Sequence, residues 1–223
     1  MRSLTRNTRL SPVTVIGFWA GVILTSLNLA GTIHAADGGT MATPSCQLRL
    51  SAGANSGFSY ASGVADQRIS SDGSLDVLCT PVRSGGMGLI VGAGLFSDSR
   101  AGRIHNPDTE ASYNAYGLEL RSGLSWRLAP KWHLEALATG RWGSGTFTAK
   151  LPFSNGNFAV TGRSGPYGSA GASLGAFWRP LGNLMVGAEA GWDIFYGRSD
   201  FPGGEVHVRG NGPLLRLAIA APF

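Results

Sequence analysis

In residues 116–128, YGLELRSGLSWRL, apolar and polar side chains alternate along the whole run. Tyr116, Leu118, Leu120, Ser122, Leu124, Trp126 and Leu128 share one face; Gly117, Glu119, Arg121, Gly123, Ser125 and Arg127 share the other. A β-strand sends successive side chains to opposite faces, so this period of two predicts a strand with one greasy side. After the turn APK the run WHLEALATGRW repeats the pattern, with Trp132, Leu134, Ala136, Ala138 and Trp142 on one side and His133, Glu135, Thr139 and Arg141 on the other. The closing segment GPLLRLAIAAPF does so again, with Arg216 set between Leu215 and Leu217. Soluble strands are typically about 5–6 residues long, whereas a strand that crosses a bilayer needs about 9–11. Trp126 and Trp132 flank one short turn and Trp178 precedes another, RPLGN. Aromatic rings beside short turns mark the headgroup level of a membrane barrel. The apolar face is therefore expected to face lipid, and Arg216 to point inward.

The same period predicts strands near 46–58, 74–82, 87–97, 114–129, 132–146, 166–179, 183–197 and 212–223. These are eight, an even number that returns both ends to one side. RSGG, APK and PLGN are tight links, while 59–73, 98–113, 147–165 and 198–211 are longer and polar. Short periplasmic turns opposite long external loops are the pattern of outer-membrane barrels. The expected fold is all-β: a membrane-spanning antiparallel up-and-down β-barrel of eight strands over 46–223. Glycine, 34 of 223 residues, recurs inside the strands, as in GMGLIVGAGLF, where small residues relieve crowding around a narrow barrel axis.

Arg2, Arg6 and Arg9 precede the apolar run VTVIGFWAGVILTSLNLAG and a small-residue site at Ile33-His34-Ala35. Basic start, apolar centre and small cleavage site predict a secretory signal peptide over 1–35, followed by a short periplasmic segment, 36–45. The alternative is a retained membrane helix, since the run is nearly long enough to span. Removal of 1–35 takes three arginines with it, so the formal net charge falls from +5 to +2. Such a balance gives no support to nucleic-acid binding. The expected location is the bacterial outer membrane.

The inward faces collect Arg49, Glu119, Arg121, Arg127, Glu135, Arg141, Glu189, Asp193 and Arg216. Charges inside a narrow barrel are costly unless paired, and both signs are present. An eight-stranded barrel is wide enough to be filled by side chains or to hold one small ligand. A lattice of ion pairs is the first expectation, and a narrow solute path through the lumen the alternative. His133 and Glu135 share the inward face, and imidazole plus carboxylate is acid–base equipment; no nucleophile stands visibly near them. No cysteine and histidine lie at metal-ligand spacing, so no metal and no cofactor is expected. Cys46 and Cys79 both fall on outward parity at neighbouring strand ends, and an oxidising compartment favours a cross-strand disulfide between them. In KLPFSNGNFAVTGRSG an Asn-Gly between two apolar stretches predicts a β-ribbon in the third external loop, with Phe153 and Phe158 near its tip.

On this strand pattern, and most specifically on the closing LLRLAIAAPF, the chain resembles the small eight-stranded outer-membrane barrels of the OmpA transmembrane-domain, OmpX/Ail and opacity-protein group. The resemblance implies that Leu215, Leu217, Ile219 and Phe223 act as the signal read by the barrel-assembly machinery, with Ala221 and Pro222 departing from the usual pattern. It also implies outer-membrane lipid and lipopolysaccharide as surroundings, and an extracellular or envelope protein partner met through the loops. Some barrels of this size modify lipid A; a deacylase of that kind carries a His-x-Ser pair, which His105, His133 and His207 do not provide. The expected function is a non-enzymatic barrel, structural or surface-interacting. A small-ligand channel and a lipid-A-modifying enzyme are the alternatives.

Overall fold

The computed structural model describes residues 45–223, apart from 56–58, 61–64, 68–69, 106–107, 154–155, 182 and 203. The expected signal peptide and the segment up to 44 lie outside the described residues. The strands are β1 (Ser45–Asn55), β2 (Ser59–Tyr60), β3 (Ala65–Gln67), β4 (Ser70–Ser84), β5 (Met87–His105), β6 (Asp108–Ala129), β7 (Trp132–Phe153), β8 (Gly156–Thr161), β9 (Arg163–Leu181), β10 (Leu184–Phe201) and β11 (Gly204–Pro222). Eight of them form a ring in the order β1-β4-β5-β6-β7-β9-β10-β11, closed by antiparallel pairing of β11 with β1. Closure runs from Gln47 opposite Pro222 to Asn55 opposite Leu214, so over this span the ring has no unpaired edge. The short strands attach above it: β2 on β11, β3 on β5 and β8 on β7.

The alternation fixes which face is which. Leu50, Leu95, Leu118, Leu174, Ile194, Leu215, Leu217 and Ile219 are exposed on the outer wall, while Arg49, Glu119, Glu189 and Arg216 are buried inside. A belt of exposed leucines on a closed sheet is stable only against lipid, where apolar contact replaces the missing core. Trp132 and Trp178 stack at the short-turn end with ring centroids 6.5 Å apart. Tyr116, Trp192 and Tyr196 stand exposed toward the other end. The two aromatic levels bracket the belt as interfacial girdles do.

One expectation about the connections changes. The segments expected as long external loops are largely strand. β5 continues to His105, β6 begins at Asp108, β10 runs to Phe201 and β11 starts at Gly204, with His105 opposite Asp108 and Phe201 opposite Gly204. The reason is that the alternation persists while the outer residues turn polar: Phe96, Asp98 and Arg100 stay inward, and Ser97 and Ser99 replace leucines outside. What ends there is the lipid belt, not the strand. At about 3.3 Å per residue and a tilt of roughly 40°, the 22 residues of β7 stand about 55 Å tall, against an apolar band of about 25 Å. The wall therefore rises well above the membrane. The expected ribbon forms where β8 folds back on β7, with Phe153 opposite Gly156 and Thr148 opposite Thr161. Phe158 is exposed; the side chain of Phe153 lies outside the described residues.

At the other end the turns are tight. Ser84 faces Met87 across Gly85-Gly86, and Gly85 takes a φ of 57°, the left-handed region that glycine enters without a Cβ clash.

Candidate functional site: the filled lumen

The lumen is layered. At the short-turn end Phe177, Met185, Ala218 and Ala220 form one buried apolar cluster, and Leu78, Ile90 and Leu137 another. In the upper half Phe96, Tyr113, Phe147, Tyr167, Phe195 and Val208 form a third, larger one. Tyr113 reaches this position because Gly145 and Gly197 make room. A Cβ on Gly145 would stand 2.2 Å from its Oη, and one on Gly197 2.4 Å from its Cζ.

Between these layers lies a lattice of buried charge. Arg49 Nη2 donates to both oxygens of Glu135, at 2.8 and 2.7 Å, and its Nη1 to Glu189 at 2.8 Å. Arg121 Nε donates to Glu119 at 2.5 Å, its Nη1 to both oxygens of Glu189 at 3.2 Å, and its Nη2 to Ser74 Oγ at 2.9 Å. Arg121 Nη2 also lies 3.3 Å from Asp76. Arg141 bridges Asp72, at 2.5 Å, and Glu119; Arg216 donates to Asp72. A second group sits beside it. Arg100 pairs with Asp98 at 2.8 Å and with Asp193, while the Tyr167 hydroxyl donates to Asp98 at 2.6 Å and Asn55 Nδ2 to the other Asp98 oxygen at 2.7 Å. The guanidinium groups of Arg49, Arg100 and Arg141 lie 4.3, 3.8 and 5.0 Å from the ring centres of Phe177, Phe195 and Phe96. The apolar layers thus hold the lattice by cation–π contact as well as by excluding water.

Of the expected lumen residues, Arg49, Glu119, Arg121, Glu135, Arg141, Glu189, Asp193 and Arg216 are buried here. Arg127 is not. It lies exposed near the end of β6, opposite His133, where its backbone N–H donates to the Gly86 carbonyl at 2.8 Å. Parity sends it inward, but at a height where inward means the rim. Asp72, Asp76, Asp98 and Arg100 belong to the lattice and were not anticipated. The signal for them was continuation of parity: Ser70, Asp72, Ser74, Asp76 and Leu78 are successive inward positions, as are Phe96, Asp98 and Arg100.

His133 and Glu135 do not form a pair. Both Glu135 oxygens are taken by Arg49, and His133 Nε2 has no hydrogen-bond partner among the described residues. Cys46 and Cys79 stand directly opposite across β1 and β4 and are joined in a disulfide. Leu215, Leu217, Ile219 and Phe223 are exposed on the outer face of the closing strand and just past its end, and the Phe223 N–H donates to the Cys46 carbonyl at 2.9 Å.

No family model matches the chain, and no curated protein matches it. Among solved structures it is similar to a major outer membrane protein of Thermus thermophilus, at 14% identity over 82% of this chain and 100% of that one, with a TM-score of 0.53. It also matches Ail of Yersinia pestis, solved in complex with the heparin analogue sucrose octasulfate, at 17% identity over 81% and 99% of the two chains and a TM-score of 0.42. Neisserial surface protein A matches at 14% identity over 83% and 100%, with a TM-score of 0.40. With the closed ring and the exposed apolar belt already in place, the chain has the fold of the small eight-stranded outer-membrane β-barrels.

Proposed function

We propose that the barrel is a closed, non-enzymatic element of the outer membrane that meets other molecules through its extracellular wall. The observation that carries this reading is the lattice itself. Arg49, Arg121, Arg141 and Arg216, with their carboxylates, fill the lumen between apolar layers above and below. A solute path would have to break several desolvated ion pairs at once, each costing about 3–5 kcal/mol. A catalytic reading finds Glu135 committed to Arg49 on both oxygens. The wall above the belt, by contrast, offers exposed groups of both signs on β10 and β11: Arg198 lies 3.4 Å from both Asp200 and Glu205, and His207 meets Tyr196 at 2.5 Å. Such mixed polar surface suits an extracellular or envelope protein partner, or the sugars and phosphates of lipopolysaccharide. In the same reading residues 1–35 are a cleaved signal, 36–45 a periplasmic segment, and Leu215, Leu217, Ile219 and Phe223 the strand presented to the barrel-assembly machinery.

Planar-bilayer recording tests it. The purified protein should leave the bilayer silent at potentials where porins conduct. Reproducible unitary steps whose size changes in Glu119→Gln or Arg216→Met would replace the closed barrel with the narrow channel.

A further inference from the structure

Among the described residues, the short-turn end of the barrel carries basic side chains and no acidic one. Its rim comprises residues 45–48, 80–88, 125–133, 178–185 and 220–223, which hold Arg83, Arg127, Lys131, His133 and Arg179 and no aspartate or glutamate. Four of these side chains occupy one arc of the mouth. Arg127 and His133 are direct cross-strand partners on β6 and β7. Arg179, at the end of β9, donates its backbone N–H to the Lys131 carbonyl at 2.9 Å and so stands beside the same turn. Arg83 on β4 pairs with Gly88, which in turn pairs with Ser125. With no side chain on Gly88, Arg83 and Ser125 converge over it: a Cβ there would lie 3.3 Å from Arg83 Cγ and 2.9 Å from Ser125 Oγ. Arg83 is within electrostatic reach of Arg127 and Arg179, and His133 of all three.

These groups differ from the lattice below them in what answers their charge. Each lattice arginine is held by carboxylates. Among the described residues the rim arginines meet neutral groups: Arg83 Nη2 donates to Ser45 Oγ at 2.9 Å and Arg179 Nη2 reaches Met185 Sδ at 3.5 Å. Arg179 Nε and His133 Nε2 are shielded from water yet have no hydrogen-bond partner among the described residues. The carboxylate on the same inward face of β7, Glu135, has both oxygens on Arg49. Three guanidinium groups gathered in one mouth, one of them with an unused N–H, attract an anion.

We propose that this arc is a binding site for a phosphate-class oxyanion. Guanidinium forks match the tetrahedral oxygens of phosphate, and His133 adds a further ring nitrogen at the same place. Arg127 and Arg83 are exposed, so the mouth is open to an incoming ligand. The arc lies at the level of the Trp132–Trp178 pair, which is the headgroup level on this side. Two sources supply the chemistry there: the phosphate of an inner-leaflet phospholipid headgroup, or a soluble phosphate of the periplasm. The site itself does not depend on the closed-lumen reading; only its facing the periplasm follows from the orientation of the short turns.

Isothermal titration with inorganic pyrophosphate, on the refolded protein in a neutral detergent at low salt, tests the site. The triple variant Arg83→Gln/Arg127→Gln/Arg179→Gln should bind at least about tenfold more weakly, and Arg163→Gln/Arg209→Gln, at the far end of the barrel, should bind as the unaltered protein does. An unchanged mobility of the unboiled triple variant on a denaturing gel shows that the fold is kept. Reconstitution into phosphatidylcholine vesicles with and without phosphatidylglycerol separates the sources. Stabilisation by phosphatidylglycerol that the triple variant loses assigns the headgroup; pyrophosphate binding without it assigns the soluble anion. Absence of pyrophosphate binding by the unaltered protein, or equal binding by the triple variant, overturns the proposal.

Discussion

Glu119 is approached by three arginines, Arg121 at 2.5 Å, Arg141, and Arg216 at 3.8 Å, whereas Asp76 meets one arginine, Arg121 at 3.3 Å, with the Ser74 hydroxyl at 2.9 Å and the Glu119 carboxyl beside it. The buried lattice sets Asp72, Asp76, Asp98, Glu119, Glu135, Glu189 and Asp193 against Arg49, Arg100, Arg121, Arg141 and Arg216. Carboxylates outnumber guanidinium groups, so they are not equivalent: those shared between arginines hold the lattice, and the least supported ones burden it. One oxygen of Asp76 has no hydrogen-bond partner among the described residues, as expected of a surplus acid. Glu119→Gln should therefore lower stability by about 3–5 kcal/mol, because it leaves buried arginines short of a counter-charge. Asp76→Asn, of equal volume, should cost less than about 1 kcal/mol. Urea unfolding in lipid vesicles compares the two, and a larger loss for Asp76→Asn would contradict this ranking. Sequence reading found Glu119 and the four arginines Arg49, Arg121, Arg141 and Arg216 because they lie inside strongly alternating runs. It missed Asp72, Asp98 and Arg100 because the outer residues beside them are serine, glycine or alanine, so the alternation no longer shows as hydrophobicity; Asp76 was missed although Leu75 and Val77 flank it. Partner choice was not legible at all: Arg49 meets Glu189 from 140 positions away, a contact that barrel closure decides.

At the scale of the strand, β7 shows how one sequence serves three environments. Trp132 and Leu134 are exposed on the outer face and Ala136 and Ala138 share it; Glu135, Leu137, Thr139 and Arg141 fill the lumen; Thr146 and Thr148 lie on the outward parity above the belt. Neighbouring residues of one strand thus carry opposite tolerances. Ala138→Arg places a charge against lipid near mid-strand, at roughly 2–4 kcal/mol, and should impair insertion. Leu137→Ala instead opens a gap beside Leu78 and Ile90; it should insert normally and lose about 2–5 kcal/mol on unfolding. Insertion into vesicles followed by protease protection reads the difference, and a harmless Ala138→Arg would invert the faces. Strand identity was legible from such runs, and so was the β7–β8 ribbon, since Asn155-Gly156 is strong turn chemistry. Strand length was not: 132–146 grew to Trp132–Phe153 because hydrophobic contrast reports contact with lipid, while pairing with the next strand continues into water.

For the whole molecule, closure couples these levels. β1 and β11 complete the ring over Gln47–Asn55 and Leu214–Pro222, the Cys46–Cys79 disulfide ties β1 to β4, and the lattice crosses the axis from Arg49 on β1 to Glu135 on β7 and Glu189 on β10. A barrel with no free edge inside the membrane, and with side chains bonded across its lumen, has no element that unravels first. The central claim is that this alternating chain forms one closed, lipid-facing barrel with a filled interior. Mobility on a denaturing gel, before and after boiling, tests it most directly when paired with circular dichroism of the unboiled sample. The unboiled protein should show a β-sheet spectrum and a mobility different from the boiled chain, with Glu119→Gln converting at a lower temperature. Identical mobility before and after heating, with a helical spectrum, would contradict the account.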